Sequence, residues 1–306
     1  MRFGLMLPPQ LDLARVVPLA RRAEELGYDL VACGEHVFFH VPTTNAFVAL
    51  AAAAGATSRI GLLSAATVLP VYPAPLAAKM AATLDGVSGG RFELGVGVGG
   101  EYPPELFACG VDPAERGRRT DESLALLRRL FAGERVHHDG EFWQLDGLRL
   151  DPLPPQRSHL PIWVGGRRRA AIRRAGRFAD VWMPYMVDPQ RFAESLEQVR
   201  AEAVAAGRPA HTVQGALFCW AGVGKDGVRA RRTALEVLSR IYRQDFGPLA
   251  DRYVPAGTPS QVTARLGEYA AAGAGTVLFA PAVPDDELER AAEMFVKEVA
   301  AALVAA

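Results

Sequence analysis

The chain is short of the features that would commit it to a special environment. It has three cysteines, Cys33, Cys109 and Cys219, far apart and without a C-x-x-C spacing. That argues against a disulfide framework or a cysteine zinc site and predicts buried, reduced thiols. Charge of one sign is not in excess, since 34 Lys and Arg face 34 Asp and Glu. Neither a nucleic-acid surface nor a polybasic membrane anchor is therefore expected. Long apolar runs are missing too: the longest, residues 46–56, is too short to span a bilayer. The opening RFGLMLP reads as a strand, without the basic and apolar segments of a leader. These absences predict a soluble, cytoplasmic protein whose partner is a small molecule.

What is present is material for a large core, with 50% hydrophobic residues in 306. Short β-branched runs alternate with alanine-rich, arginine-punctuated segments of helical period, the pattern of repeated βαβ units. Strands are predicted over 3–7, 30–33, 60–65, 92–98, 161–164, 181–183, 213–221 and 276–280. Helices are predicted over 11–26, 45–56, 75–87, 113–131, 168–178, 189–206, 227–242, 259–272 and 285–304. Thr258 before Pro259 supplies a helix start, and Gly27, Gly207 and Gly273 follow helix ends. Eight strand-helix units in this length match a single (β/α)8 TIM barrel spanning 1–306, with no composition shift to mark a linker. Segments 99–112, 134–159 and 245–257 do not fit the alternation and are read as insertion loops over the C-terminal face. Within the second of them, 136–150 looks like a small hairpin.

In such a barrel, chemistry sits at the C-terminal ends of the strands. The run SGGRFELGVGVGGE ends a strand in Gly95, Gly97, Gly99 and Gly100, where a ligand or another chain segment comes close to the backbone. It is not a dinucleotide fingerprint, because the glycines lead into Tyr102, Pro103 and Pro104, read as a loop, rather than opening a helix. After the second strand come Glu35 and His36, a carboxylate and an imidazole able to exchange protons near neutrality. The aromatics behind them, Phe38 and Phe39, and His40 extend the same loop. His36 and His40 gain no third ligand nearby, so no metal is expected. Gly165 and Gly166 end another strand and open a helix, a geometry suited to a phosphate, with Arg167 or Arg168 adding charge-assisted bonds. The alternative is a tight turn before a solvated arginine face, since Arg169, Arg173 and Arg177 recur at helical spacing. Tyr185, ending the next strand, could cover the same phosphate or a planar ring.

With these residues in view, the chain resembles the bacterial luciferase-like flavin and deazaflavin oxidoreductases nearly end to end. The matching stretches include Thr57 to Gly61, Thr67 to Pro70, Ala78 to Asp85, Ser88 to Arg91, Leu94 to Gly99, Glu115 to Arg119, and Ile162 to Gly166. The resemblance is to the members that use coenzyme F420, a phosphate-bearing 5-deazaflavin. It implies that His36 lies near the redox face with Glu35 beside it, and that Gly97 and Gly99 line the ring edge. It also implies a non-proline cis peptide within Ala65, Ala66 and Thr67 behind the ring, and a phosphate at Gly165 and Gly166.

The reading is thus an F420-dependent oxidoreductase moving a hydride to or from a small organic substrate, with His36 and Glu35 as catalytic residues. Ala65, Ala66, Thr67, Gly97, Gly99, Gly165, Gly166, Arg167 and Tyr185 would bind the cofactor, and Phe38, His40, Tyr102 and Phe218 the substrate. An FMN-dependent monooxygenase is the alternative, followed by a non-catalytic flavin-binding relative. A sugar-phosphate barrel enzyme would want a lysine or paired carboxylates at the strand ends, which are missing. Exposed apolar helices and the habit of the family predict a homodimer.

Overall fold

Eight apolar runs become the strands of a closed parallel barrel: β1 (Arg2–Leu7), β2 (Leu30–Cys33), β3 (Gly61–Ser64), β4 (Phe92–Gly97), β5 (Ile162–Gly165), β6 (Val181–Met183), β7 (Gln214–Val223) and β8 (Ala274–Pro281). The computed structural model describes residues 1–305. Neighbours in sequence pair from β1 to β6, β7 pairs with both β6 and β8, and β8 returns to β1 to close the ring. All eight coincide with the predicted strands to within a few residues. Strands buried on both sides need apolar residues throughout, which is why they read as continuous runs rather than alternations.

The two faces separate cleanly. Leu30, Ala32, Leu63, Trp163, Ala216 and Leu278 pack inside the barrel, whereas Val31, Cys33, Leu62, Ile162 and Val164 face the surrounding helices. Inside, Trp163 is fully buried and its indole N–H donates to Glu93 Oε2 at 2.7 Å, while Arg2 holds Glu93 Oε1 at 2.6 Å. A buried carboxylate with both oxygens engaged escapes the cost of an unpaired charge. This trio and its apolar neighbours close the barrel from below.

The third strand breaks where the site begins. Ser64 Oγ donates to Gly95 O at 2.9 Å and accepts from Gly95 N at 3.0 Å, and a Cβ on Gly95 would fall 2.0 Å from Ser64 O. Gly95 is therefore required by the chain beside it. The Ala65–Ala66 peptide is cis, within the expected segment, after which Thr67–Val68 pairs with Val96 and Gly97.

The insertions differ in place. Pro103–Ala108 is a helix, not the expected loop: its two prolines occupy the first turn, where a missing N–H costs nothing. The hairpin forms as expected, Val136–Asp139 against Gln144–Leu148. Segment 134–159, however, leads from a helix into a strand, and Gln156 donates to Phe92 O at the start of β4, 2.7 Å away. It therefore packs away from the C-terminal mouth. The mouth is covered instead by the Glu35–Thr44 loop, by 99–112, and by an excursion between β7 and Ala256–Gly257, which pairs with Gly222 and Val223 at the end of β7. That excursion contains the helix Gly227–Tyr242, predicted as a helix but not as part of the roof.

Candidate active site

A cavity of about 890 Å³ opens at the C-terminal ends of the strands. Among the predicted site residues, Glu35, His36, Ala65, Ala66, Gly97, Gly99, Gly165, Gly166, Arg167, Tyr185 and Phe218 line it. Thr67 does not: it is fully buried behind Ala66, with a hydroxyl that has no partner. Phe38 is half exposed and, with His40, borders a shallow groove outside the cavity, while Tyr102 meets the edge of His40 at 5.3 Å between ring centroids. In their stead Phe39, Trp220 and Tyr242 line the main cavity. Loop residues carry no period, so adjacent Phe38 and Phe39 could not be told apart from sequence.

His36 is held from an unexpected direction. Its Nδ1 is 3.0 and 3.2 Å from the two oxygens of Glu105, and Val37 N donates to Glu105 Oε2 at 3.1 Å. Glu105 is fully buried and comes from the Pro103–Ala108 helix. A carboxylate at Nδ1 places a proton there, leaves Nε2 as the exchanging nitrogen, and stabilises the imidazolium when it forms. Phe39 stacks on the imidazole at 4.2 Å, fixing its plane.

Glu35 makes no hydrogen bond to His36. Its Oε1 accepts from Val68 N at 3.0 Å, and its Oε2 accepts from Ala46 N, Asn45 Nδ2 and Tyr72 OH, each at 3.1 Å. Burial pushes this carboxyl up from its ordinary value, while the N–H groups of Ala46 and Val68 pull it down. The Tyr72 hydroxyl is raised by its own burial and then by Glu35. Glu35 thus ties the start of the Ala46–Ala54 helix to the segment after the cis peptide.

The opposite wall is basic. Gly166 adopts φ +112°, and a Cβ there would lie 2.8 Å from Ala171 Cβ. Its carbonyl accepts from Trp182 Nε1 at 2.9 Å, which pins the turn. The helix Arg169–Phe178 that follows has no side-chain cap, so its first-turn N–H groups are free to meet an anion. Arg167, Arg168 and Arg116 line the cavity here, and Arg116 Nε is buried without a partner. Arg174, by contrast, is spent on Asp121 at 2.7 Å. Arg173 and Arg177 are exposed.

Above this turn, the Tyr185 hydroxyl donates to Glu101 Oε1, the carboxylate that follows the glycine run. Arg167 lies 5.1 Å over the Tyr185 ring and donates to Tyr185 O and Met186 O at 3.2 and 2.9 Å. Burial, followed by the Glu101 charge, pushes the Tyr185 hydroxyl well above its usual range. Arg116 and Glu105 both lay in segments whose sequence offered no local sign of their reach into the site. No group of three or more His, Cys, Asp or Glu able to hold a metal occurs among the described residues.

A planar tricyclic ring with one phosphate fits these residues: a cradle that a Cβ on Gly166 would disrupt, a guanidinium in the same cavity whose Nε has no partner, and a wall of Ala65, Ala66 and Gly97. Comparison with known proteins points the same way. A family model described as luciferase-like monooxygenase matches residues 1–276. A 5,10-methylenetetrahydromethanopterin reductase of Methanolobus tindarius is 26% identical over 267 residues, covering 87% of this chain and 75% of that protein. The monooxygenase RslO1 of Streptomyces bottropensis superposes with a TM-score of 0.86 at 25% identity, covering 99% of both chains. An F420-dependent secondary alcohol dehydrogenase, solved with an F420-acetone adduct, superposes at 0.87 with 20% identity and 98% of each chain, a likeness of fold.

Proposed function

We propose, from the premise that this chain belongs to the luciferase-like monooxygenase family, that it is an F420-dependent oxidoreductase acting on a small organic substrate. Flavin or deazaflavin dependence follows from the family. The observation that favours deazaflavin is the basic end of the cavity: Arg116, Arg167 and Arg168 converge beside an uncapped helix start, in a chain of zero net charge. F420 brings a phosphate and an anionic glutamate tail, and would use more of that charge than FMN does.

When bound, the deazaflavin supplies a two-electron hydride donor or acceptor. The chain supplies the rest. Gly165, Gly166 and the first turn of Arg169–Phe178 would hold the phosphate, and Ala65, Ala66, Gly97 and Gly99 would flank the ring. His36, with Nδ1 bound to Glu105, would give a proton from Nε2 to the substrate heteroatom during reduction and take it back during oxidation. Glu35 would keep the ring-flanking segment in place through Val68 N. Pro42, Val68 and the aromatics of the roof would exclude water.

FMN also carries one phosphate, and the likeness to RslO1 favours an FMN-dependent monooxygenase as the second reading. Fluorescence titration of the purified protein with each cofactor separates them. F420 is expected to bind at least tenfold more tightly than FMN, about 1.4 kcal/mol. Equal or reversed affinities, or protein-dependent oxygenation of an organic substrate with reduced FMN, would overturn the deazaflavin reading.

A further inference from the structure

Beyond the cofactor's basic end, the cavity turns aromatic. From His36 the wall passes to Phe39, stacked at 4.2 Å, then to Tyr242, edge-on to Phe39 at 6.2 Å. It continues through Trp220, Phe218 and Tyr185, with neighbouring centroids 6.4, 5.8 and 6.4 Å apart and rings nearly perpendicular. All six line the cavity. Edge-to-face pairs fix one another's planes, so the cavity has a rigid aromatic wall on this side, suited to the flat, apolar part of a ligand.

Polarity along this arc is sparse and placed. The Trp220 indole N–H donates to the Tyr242 hydroxyl at 3.0 Å. That bond occupies the phenol as an acceptor, and among the described residues no oxygen or nitrogen accepts the phenol's own proton. Burial, then the Glu101 charge, raises Tyr242 well above its usual range, so it stays a phenol and a donor across the physiological span. The Tyr185 hydroxyl is already committed to Glu101. Tyr242 sits at the last turn of the roof helix Gly227–Tyr242, and Arg243 beyond it reaches His40 O at 3.4 Å, tying this helix end to the His36 loop.

We propose that Tyr242, oriented by Trp220, is a specificity-determining donor that selects planar, ring-bearing substrates carrying an acceptor oxygen such as a conjugated carbonyl. The proposal deepens the oxidoreductase reading and rests on it for the identity of the site. A half-buried donor with no internal acceptor, once covered by a ligand, disfavours one that cannot accept, because its desolvation then goes uncompensated. Aliphatic acceptors of similar polarity would forgo the contact between ring faces that the aromatic wall offers.

The test uses 2-acetylnaphthalene and its shape-matched hydrocarbon 2-isopropenylnaphthalene as probes, with affinities read by calorimetry on the full chain, both with and without F420. The wild type is expected to prefer the ketone at least tenfold, and Y242F, melting as the wild type does, to lose that preference while keeping its F420 affinity. W220F is the second variant: with the indole donor gone the phenol is no longer oriented, and the preference is expected to drop at least threefold. A wild type that binds both probes alike, or a Y242F that keeps the preference, overturns the proposal; if Y242F does not fold, an unchanged preference in W220F does so. Because the ketone preference is measured without cofactor as well, failure of F420 to bind would count against the deazaflavin reading alone.

Discussion

His36 Nδ1 and Glu105 Oε1 meet at 3.0 Å from positions 69 residues apart, one on a loop after the second strand and the other on a helix opened by two prolines. With Nδ1 engaged by Glu105, Nε2 is the ring nitrogen left for the proton exchange proposed for His36. A positioned general acid contributes about 100- to 10,000-fold in rate. Replacement of His36 by Ala is therefore expected to lower turnover by at least about 100-fold while cofactor affinity stays within a few-fold. E105Q should lower it too, by roughly tenfold or more, and shift the pH-rate profile because the imidazolium loses its counter-charge. Near wild-type turnover in H36A would make His36 a wall of the pocket.

Gly166 tests the cradle. Valine there meets both the φ of +112° and Ala171 Cβ 2.8 Å away. G166V is expected to cost about 1–3 kcal/mol of stability from backbone strain and to weaken F420 and FMN binding together. Chemical unfolding and cofactor titration measure the two effects separately, and normal binding by a folded G166V would put the phosphate elsewhere.

Glu35 accepts four hydrogen bonds, from Val68 N, Ala46 N, Asn45 Nδ2 and Tyr72 OH. Glutamine in its place turns an amide N–H toward donors whichever way it flips. E35Q should destabilise the fold by about 2–3 kcal/mol, the cost of unsatisfied buried groups. An unchanged urea midpoint would show that the network relaxes without loss.

Glu24 gives a pH signature. Its carboxylate accepts from Ile60 N, Arg59 N and Ser58 N, and these bonds, Ile60's foremost, hold its pKa at about 2 rather than 4.5. A depressed carboxylate stabilises the fold above about 4.5 and loses that contribution as pH falls toward about 2. E24Q is expected to cost about 1 kcal/mol at pH 7, the net scale of a hydrogen bond at a partly exposed group. The gap between E24Q and wild type should shrink as urea unfolding is repeated at pH 5, 4 and 3; a constant gap would assign the effect to packing.

The barrel was legible because each strand is an apolar run bounded by turn residues, a signal local in sequence. His36 and the Gly165-Gly166 turn could be marked for the same reason, each standing at the end of such a run. Glu105 could not, because adjacent Pro103 and Pro104 suggest a loop and nothing in their neighbourhood tells how far the following carboxylate reaches. Helix Gly227–Tyr242 was visible by its period, yet a period says that one face is covered and not by what, so Tyr242 was missed. The glycine-rich strand end marks Gly95 as a place of close approach, and what approaches it is Ser64 of the adjacent strand.

Trp163, Glu93 and Arg2 close the barrel beneath the cavity, so a ligand enters it from the C-terminal side, where the strand ends open. Where two molecules lie one behind the other in such a dead-ended cavity, the one seated deeper enters first and leaves last. Initial-rate kinetics should accordingly follow a compulsory order rather than a random one, and an excess of the later arrival should slow the reaction by trapping its predecessor inside.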